Sequence, residues 1–196
     1  MIPKLVLGSG SPRRREILDL LGLEHVVRAP RVEELLNDGE GPRAEAERLA
    51  RTKALAVPAD ASELVLAADT LVALGEGILG KPADSSEAVE MLMRLQGRRH
   101  TVYTGVCMRL DSRCEVEVCT TDVWFRRLDE VECRQYVGTG EPLDKAGAYG
   151  IQGFGAALVR RIDGEYFNVM GLPVQSLLSL LSRFGLRYAY GRLEVA

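Results

Sequence analysis

The sequence predicts an α/β protein with a mixed, elongated central sheet flanked by helices. Apolar runs of strand length alternate along the chain with segments whose apolar residues recur at helical spacing. Two long segments, residues 101–110 and 115–125, are rich in Val, Tyr, Thr, Cys and Trp, as is typical of paired strands. The 196 residues, 46% of them hydrophobic, suffice to bury a core, so we expect a single domain over residues 1–196.

The N-terminal segment predicts a strand followed directly by a helix. Residues 4–8 are a buried strand, Ser11 is the expected N-cap and Pro12 the first helical residue. The helix has an apolar stripe and ends near Gly22, a residue that suits a C-terminal cap. The stripe consists of Ile17, Leu18 and Leu21.

A second helix and a central strand follow a polar surface loop that covers residues 37–47. The helix is expected over residues 44–56, and its apolar stripe of Ala46, Leu49 and Ala50 continues at helical spacing to Lys53. Residues 64–68 predict a central strand that ends at Asp69, and residues 71–79 predict a hairpin that turns at residues 75–77.

The remaining elements are three helices and another hairpin. Ser85 or Ser86 is expected to cap a helix whose apolar stripe is Ala88, Met91, Leu92 and Leu95. Residues 129–137 predict a short helix. Asp163 and Gly164 predict the turn of a hairpin between residues 157–162 and 165–169. The last helix starts after Pro173 and ends before Gly185.

Composition excludes several classes of function. A net charge of −3 argues against a protein that coats nucleic acid, and two histidines leave little material for a catalytic triad or a histidine zinc site. The four cysteines have neither redox nor zinc-ribbon spacing, so we expect reduced, mostly buried thiols. No apolar run approaches the roughly 18 residues of a membrane span, and no signal-peptide pattern is present. We therefore expect a cytoplasmic protein with no membrane partner.

The segment Ser9–Arg15 is a candidate phosphate site. It places Arg13, Arg14 and Arg15 in the first turn of a helix, where the macrodipole is positive and cations are unfavourable without an anion. Serine hydroxyls, backbone N–H groups and arginine forks together suit a phosphate. The alternative is a solvated cluster of arginines.

Single charged residues elsewhere have two interpretations each. Asp69, at the predicted end of an apolar strand, is placed to bind a metal or accept a proton, or else to cap a turn. Lys81, between Gly80 and Pro82, either contacts a phosphate or extends into solvent, and Lys53 has the same two alternatives. The segment Glu141–Gly153 combines glycines with acids, a lysine and a glutamine, which fits a ligand-binding loop or a tightly packed structural loop.

Together these segments resemble one family. The motifs occur in the order and spacing of Maf proteins, and the resemblance covers nearly the whole chain; they are Ser9–Arg14, Ala67–Thr70, Gly80–Pro82, Tyr103–Val106, Glu141–Gly153 and Asn168–Pro173. It implies an architecture like that of the inosine triphosphatases, with two lobes around a cleft, and a possible homodimer.

The resemblance also implies an activity and a set of site residues. Maf proteins of this kind hydrolyse nucleoside triphosphates at the α-phosphate with a divalent cation, Mg²⁺ or Mn²⁺. Asp69 matches the proton acceptor, and Glu34 matches an acid that helps to hold metal or water, although Glu33 is an alternative. Ser9 belongs to the phosphate-binding motif. The basic groups around the triphosphate correspond to Arg13, Arg14, Lys53 and Lys81.

Substrate choice in the family follows positions that are Arg13, Thr70 and Gln152 here, a combination similar to the dTTP/UTP pyrophosphatase branch. A glutamine amide can complement the N3–H and a carbonyl group of uracil or thymine. Two alternatives stay open at this point. One is a broader house-cleaning pyrophosphatase for modified nucleotides, and the other is a non-catalytic, nucleotide-sensing regulator of cell division.

Overall fold

A mixed sheet flanked by helices confirms the predicted α/β class. The computed structural model describes residues 2–37 and 39–196. The helices are α1 (Pro12–Leu20), α2 (Pro42–Ala56), α3 (Ser85–Leu95), α4 (Glu130–Val137), α5 (Tyr166–Met170) and α6 (Val174–Arg183). The strands are β1 (Lys4–Leu7), β2 (Val26–Val27), β3 (Glu63–Leu74), β4 (Gly77–Leu79), β5 (Arg99–Leu110), β6 (Arg113–Phe125), β7 (Val159–Asp163), β8 (Leu186–Tyr188) and β9 (Leu193–Val195).

The sheet combines parallel and antiparallel pairs. Within the described residues it has seven strands in the order β2-β1-β3-β5-β6-β7, with β4 paired to β3. Strand β1 runs parallel to both β2 and β3, with Val6 opposite Val26 and Val65. The pairs β3–β4 and β6–β7 are antiparallel. Strands β8 and β9 form a separate antiparallel pair.

The chain divides into two compact units. Unit 1 comprises Met1–Asp69, Thr104–Cys119 and Gly171–Ala196, and unit 2 comprises Thr70–Tyr103 and Thr120–Met170. Strands β3, β5 and β6 each contribute residues to both units. Each unit has a hydrophobic cluster of its own.

Small residues bring helix α2 close to the sheet in unit 1. The cluster there contains Val6, Ala50, Ala54, Val57, Val65, Ala67 and Cys107. Gly105 on β5 has no room for a side chain, because a Cβ atom would overlap the Ala46 carbonyl group and lie 3.1 Å from the Ala50 methyl group. The buried stripe of α2 thus packs directly on β5. Lys53 lies one turn beyond Ala50, at the half-buried edge of this stripe.

Helices α3 and α4 pack around an aromatic core in unit 2. Ala88, Met91, Leu92 and Leu95 are all buried, as the helical stripe predicts. Phe125, Tyr149 and His100 make edge-to-face ring contacts with centroids 4.7–5.3 Å apart. Tyr149, which belongs to this core, lies three residues before Gln152 along the chain.

The position of Asp69 within its strand differs from the sequence prediction. The prediction ended the strand at Asp69, whereas β3 continues to Leu74 and Asp69 lies inside it. The apolar residues Leu71, Val72 and Ala73 sustain the strand, and β4 pairs with its last residues. Asp69 is therefore a buried strand residue rather than a residue in a turn.

Two further local predictions were wrong. Asp84, and not Ser85 or Ser86, caps α3, since its carboxylate accepts hydrogen bonds from the N–H groups of Ser86 and Glu87. The hairpin predicted at Asp163 and Gly164 is absent among the described residues, where β7 pairs with β6 and the chain then enters α5. Hydrogen bonds between Glu165 and Thr121 fix this turn toward the helix.

The four cysteines, all of them among the described residues, form no disulfide, as predicted. Cys107 and Cys133 are buried, and Cys114 and Cys119 are half-buried. Within the described part of the chain, no helix combines the length and hydropathy that crossing a bilayer requires.

Buried His100 makes the stability of the fold depend on pH. Burial lowers its pKa from 6.5 to about 4, against a smaller opposing effect of Asp122, and its Nε2 atom lies 2.8 Å from the Tyr149 hydroxyl. Because the unfolded chain binds the proton at higher pH than the folded one, stability is complete above pH 6.5 and declines as pH falls toward 4.

We expect the free energy of unfolding to fall by about 3 kcal/mol from pH 7 to pH 4 through His100 alone. Urea titrations at a series of pH values measure this slope, with His100→Gln as the variant that cannot titrate. An identical slope in wild type and variant between pH 6.5 and 4 would contradict the prediction.

Candidate active site

A lysine bridges two acids in unit 1. The Lys53 ammonium group contacts the Asp69 carboxylate and lies 2.6 Å from Oε1 of Glu34. The side chain of Asp69 is 5% exposed and that of Glu34 is 44% exposed, so the bridge runs from the protein interior to the surface. Of the alternatives Glu33 and Glu34, it is Glu34 that makes the contact.

The burial of Asp69 explains why it needs this cation. Its neighbours along β3 are Ala67, Ala68 and Leu71, all of them buried. A carboxylate in such an apolar strand pays a desolvation cost that only a close charge or several hydrogen bonds can offset. Lys53 supplies the charge from α2, and its ammonium group reaches the acid.

Arg14 is a second buried cation in the same unit. Its Nε atom donates to the Gly171 carbonyl group at 2.7 Å, and Nη1 donates to Oγ of Ser9 at 2.9 Å. Burial lowers the pKa of Arg14, Asp69 and Glu34 act to raise it, and Arg13 acts to lower it. These electrostatic effects show that Arg14 lies within the field of both acids.

The start of α1 is built as the sequence predicted, with one difference. Ser11 is the N-cap and Pro12 the first helical residue, but the Ser11 side chain makes no capping hydrogen bond. Instead Oγ of Ser9 accepts a hydrogen bond from the Ser11 N–H group at 3.2 Å as well as the one from Arg14. Ser9 is thus the residue that organises this turn, with Arg13 half-buried beside it.

The two acids offer a small set of carboxylate oxygens to a metal ion. Among the residues that the structure describes, no group of three or more His, Cys, Asp or Glu side chains could enclose a metal. Glu34 and Asp69 nevertheless supply hard carboxylate oxygens joined through one lysine. Such a pair suits Mg²⁺ or Mn²⁺, because Mg²⁺ commonly takes one or two carboxylates and completes its shell with substrate phosphates and water.

The other predicted site residues belong to unit 2. Thr70 follows Asp69 in β3 and is half-buried, while Lys81 lies exposed after β4. A hydrogen bond holds the backbone next to Lys81: the Gly80 carbonyl group accepts from the Gly147 N–H group at 3.0 Å. Lys81 therefore extends into solvent from a segment whose backbone is held at the preceding residue.

Gln152 has an unsatisfied acceptor. Its Oε1 atom is buried and has no hydrogen-bond partner among the described residues, although the residue as a whole is only half-buried. A buried carbonyl oxygen without a donor costs about 1–3 kcal/mol, so an arrangement of this kind fits an oxygen that receives its donor from a ligand. Gln152 immediately precedes the short 3-10 helix Gly153–Leu158.

Sequence reasoning missed Glu141 and Tyr136 as individual residues. The Glu141 carboxylate accepts the Tyr136 hydroxyl at 2.8 Å and the backbone N–H groups of Phe154 and Gly155 at 2.9 and 3.0 Å. The available signal was an acid at the start of a glycine-rich segment. That signal does not say which backbone groups the acid binds, because the partners lie up to 14 residues away.

Comparison with known proteins identifies the family. The family model described as "Maf-like protein" matches residues 4–184. The chain belongs to the Maf family. Its matched region contains every site residue predicted from the sequence, which confirms the resemblance seen in the motifs.

Relatives of this Maf protein match it over most of its length. A protein of Anaeromyxobacter dehalogenans strain 2CP-C is 52% identical over 189 residues, covering 94% of this chain and 96% of the relative. One of Bacillus velezensis strain FZB42 is 45% identical, covering 95% of this chain and all of the relative. Both are named dTTP/UTP pyrophosphatase.

Solved structures are similar at a lower level. A HAM1 protein from Coxiella burnetii matches with a TM-score of 0.45 and 18% identity, over 64% of this chain and 74% of its own. A nucleoside-triphosphatase, dITP/XTP pyrophosphatase, from Mycobacterium abscessus matches with a TM-score of 0.44 and 14% identity, over 92% and 94% of the two chains.

The buried contacts of Arg14 predict a structural cost for its removal. We expect Arg14→Met to lower the free energy of unfolding by about 2–4 kcal/mol, because the Gly171 carbonyl group loses its donor and the buried Asp69 carboxylate loses a nearby cation. Urea denaturation at pH 7 measures the change. The control is Arg15→Met, an exposed position on the same helix, where we expect a change within about 0.5 kcal/mol. Equal unfolding midpoints for the two variants would contradict the prediction.

Proposed function

We propose that this Maf protein hydrolyses dTTP and UTP at the α-phosphate to the nucleoside monophosphate and pyrophosphate. The observation that carries the chemistry is the buried Asp69 carboxylate held by Lys53, with Glu34 on the same ammonium group. The substrate class rests on the names of relatives that match at least 90% of this chain. These names do not favour a broader scavenger of modified nucleotides or a non-catalytic sensor.

The reaction needs charge neutralisation and a positioned water more than a covalent nucleophile. A water oxygen forms a bond to the α-phosphorus, the bond from that phosphorus to the bridging oxygen breaks, and the pyrophosphate leaves with the electron pair. Asp69 accepts the proton of the attacking water. Lys53 orients the Asp69 carboxylate, and Arg13, Arg14 and Lys81 offset the charge of the phosphates, with Ser9 as a hydroxyl partner.

Glu34 and Asp69 are the residues that would hold a divalent cation. A bound Mg²⁺ or Mn²⁺ ion supplies Lewis-acid stabilisation of the phosphate oxygens. On the protein side, Lys53 contacts one oxygen of each acid and so fixes the orientation of both carboxylates. The same contacts limit the number of protein ligands, which suits an ion that arrives with the triphosphate.

Gln152 is the residue we assign to base recognition. Its buried Oε1 atom is an acceptor that lacks a protein donor in the described structure, and uracil and thymine offer the N3–H group as that donor. The amide nitrogen can donate to a neighbouring base carbonyl group. Thr70 and Arg13 complete the set of selective positions. Uracil and thymine differ by one methyl group, worth about 1 kcal/mol, so both bases are accepted.

The remaining proposals concern domain organisation, location in the cell, oligomeric state and partners. We assign the two compact units of residues 1–196 to one functional domain, acting in the cytoplasm as a homodimer. The net charge of −3 is consistent with a small anionic substrate held by local cations and with no nucleic-acid partner. We expect no membrane partner.

The direct test is a panel of UTP, dTTP, CTP and GTP with Mg²⁺ or Mn²⁺, scored for pyrophosphate and orthophosphate. We expect pyrophosphate from UTP and dTTP, and a fall in kcat of at least about 100-fold in Asp69→Asn, since an amide cannot accept the proton. Asp19→Asn, at an exposed position on α1, is the matched control and should retain full activity.

Three results would overturn parts of this assignment. Orthophosphate as the first product would place the attack at a terminal phosphate. Activity that persists with excess chelator would exclude the metal. An Asp69→Asn variant that keeps more than about a tenth of its kcat, a loss under about 1.4 kcal/mol, would exclude Asp69 as the base.

Gln152 provides a separate prediction about selectivity. Glu at this position keeps the length but replaces the donor with a second acceptor, so a base carbonyl group meets repulsion. We expect Gln152→Glu to lower kcat/KM for UTP and dTTP by about 5- to 150-fold, corresponding to about 1–3 kcal/mol, with little change for GTP.

The control for this substitution is Gln135→Glu, which makes the same change at an exposed position on α4. We expect it to leave all four substrates unchanged. An unaltered ratio of UTP to GTP in Gln152→Glu would exclude base reading by this residue while leaving the pyrophosphatase assignment intact.

A further inference from the structure

The loop that contains Gln152 is tied to the protein on both of its sides. After Gln152, the backbone N–H groups of Phe154 and Gly155 donate to the two oxygens of Glu141 at 2.9 and 3.0 Å. Before Gln152, the N–H group of Gly150 donates to the Tyr136 hydroxyl at 3.1 Å. Tyr136 in turn donates to Glu141 at 2.8 Å, which joins the two attachments into one network.

The network leaves no room for a side chain at Gly153 or Gly155. Gly153 has φ +73°, and a Cβ atom there would lie 2.5 Å from Oε2 of Glu141. A Cβ atom at Gly155 would overlap the Gly150 carbonyl group and lie 2.7 Å from the Tyr136 hydroxyl. The glycines around Gln152 therefore permit the backbone to approach the carboxylate and the phenol directly.

Tyr136 and Glu141 both belong to helical elements of unit 2. Tyr136 projects from α4 and belongs to the buried cluster of the unit. Glu141 opens the 3-10 turn Glu141–Asp144, and its own carbonyl group accepts a hydrogen bond from Lys145. The loop thus receives its shape from α4 and this turn rather than from contacts of Gln152 itself.

The pKa shifts of Glu141 and Tyr136 favour the same hydrogen bonds, with the carboxylate as acceptor and the phenol as donor. Burial acts to raise the pKa of Glu141, but the hydrogen bonds from Tyr136, Phe154 and Gly155 outweigh it and the pKa lies below its usual range. Burial raises the pKa of Tyr136, with Glu141 acting in the same direction. At neutral pH the acid is an acceptor and the phenol a donor, and neither is poised to exchange a proton with substrate.

We infer that Glu141 is a positioning residue for base selection, which acts with Tyr136 by fixing the backbone on both sides of Gln152. The inference rests on the proposed reading of the base by Gln152. The Gln152 Oε1 atom, without a protein donor in the described structure, has no hydrogen bond of its own to hold it. The point from which its side chain extends is set by the backbone on either side, and Glu141 and Tyr136 hold that backbone.

The first test compares Glu141→Gln and Tyr136→Phe with wild type on UTP and GTP. In Glu141→Gln an amide NH₂ group opposes a backbone N–H group, so the loop loses at least one attachment. We expect the ratio of kcat/KM for UTP to that for GTP to fall by about 5- to 50-fold, with most of the change in KM for UTP. Tyr136→Phe is expected to change the ratio in the same direction, and it decides the question if Glu141→Gln does not fold.

Glu132→Gln is the matched control for a loss of stability. Glu132 is a half-buried glutamate of the same unit, and it accepts a hydrogen bond from the Asp129 N–H group at 3.1 Å while pairing with Arg126. We expect this variant to lower Tm and to leave the UTP to GTP ratio unchanged. If the ratio is also unchanged in Glu141→Gln and Tyr136→Phe, their role is structural only and the inference is overturned.

A double-mutant cycle tests whether Glu141 acts through Gln152. If it does, the double variant Glu141→Gln, Gln152→Ala has the same UTP to GTP ratio as Gln152→Ala alone, within about twofold. Independent, multiplying losses would overturn the inference. If Gln152→Ala leaves the UTP to GTP ratio unaltered, base reading by Gln152 is itself overturned. If Gln152→Ala changes the ratio but Glu141→Gln does not, only the positioning role is overturned.

Discussion

The pairing of Lys53 with the buried Asp69 carboxylate is the interaction on which the proposed chemistry of this Maf protein depends. A carboxylate inside an apolar strand is costly unless a cation compensates it. Lys53 is that cation, and it also contacts Glu34 nearer the surface. Removing the lysine would therefore do more than delete one charge, because both acids would lose the group that orients them.

The close packing of helix α2 against the sheet in unit 1 permits this pairing. Helix α2 approaches β5 through Ala46 and Ala50, and Gly105 leaves space for the helix backbone. The distance from α2 to the sheet is thereby short enough for a lysine at the margin of the helix to reach β3. Ser9 and Arg14 add a second buried polar connection, which ties the start of α1 to Gly171. Small residues at the helix interface thus serve the electrostatics of the site as well as the packing.

Unit 2 solves a different physical problem, which is to hold a glycine-rich loop in one conformation. Glycines lose more conformational entropy on ordering than other residues, so such a loop needs strong attachments. Charge-assisted hydrogen bonds from backbone N–H groups to Glu141 provide them, and Tyr136 links the carboxylate to the far side of the loop. The Gln152 side chain can then leave its acceptor unsatisfied within the described protein, at a cost that the loop attachments offset.

The sequence by itself determined the α/β class, the main helices with their buried stripes, and the family, because periodicity and contiguous motifs are local properties of the chain. Only the tertiary structure decided that β3 continues through Asp69, since pairing with β4 extends it beyond the motif. It also decided that Glu34 rather than Glu33 meets Lys53, and that Glu141 holds the Gln152 loop, because these contacts join residues 13 to 19 positions apart. Side chains separated in this way are brought together by the packing of α2 and α4, and no local pattern encodes which of them will meet.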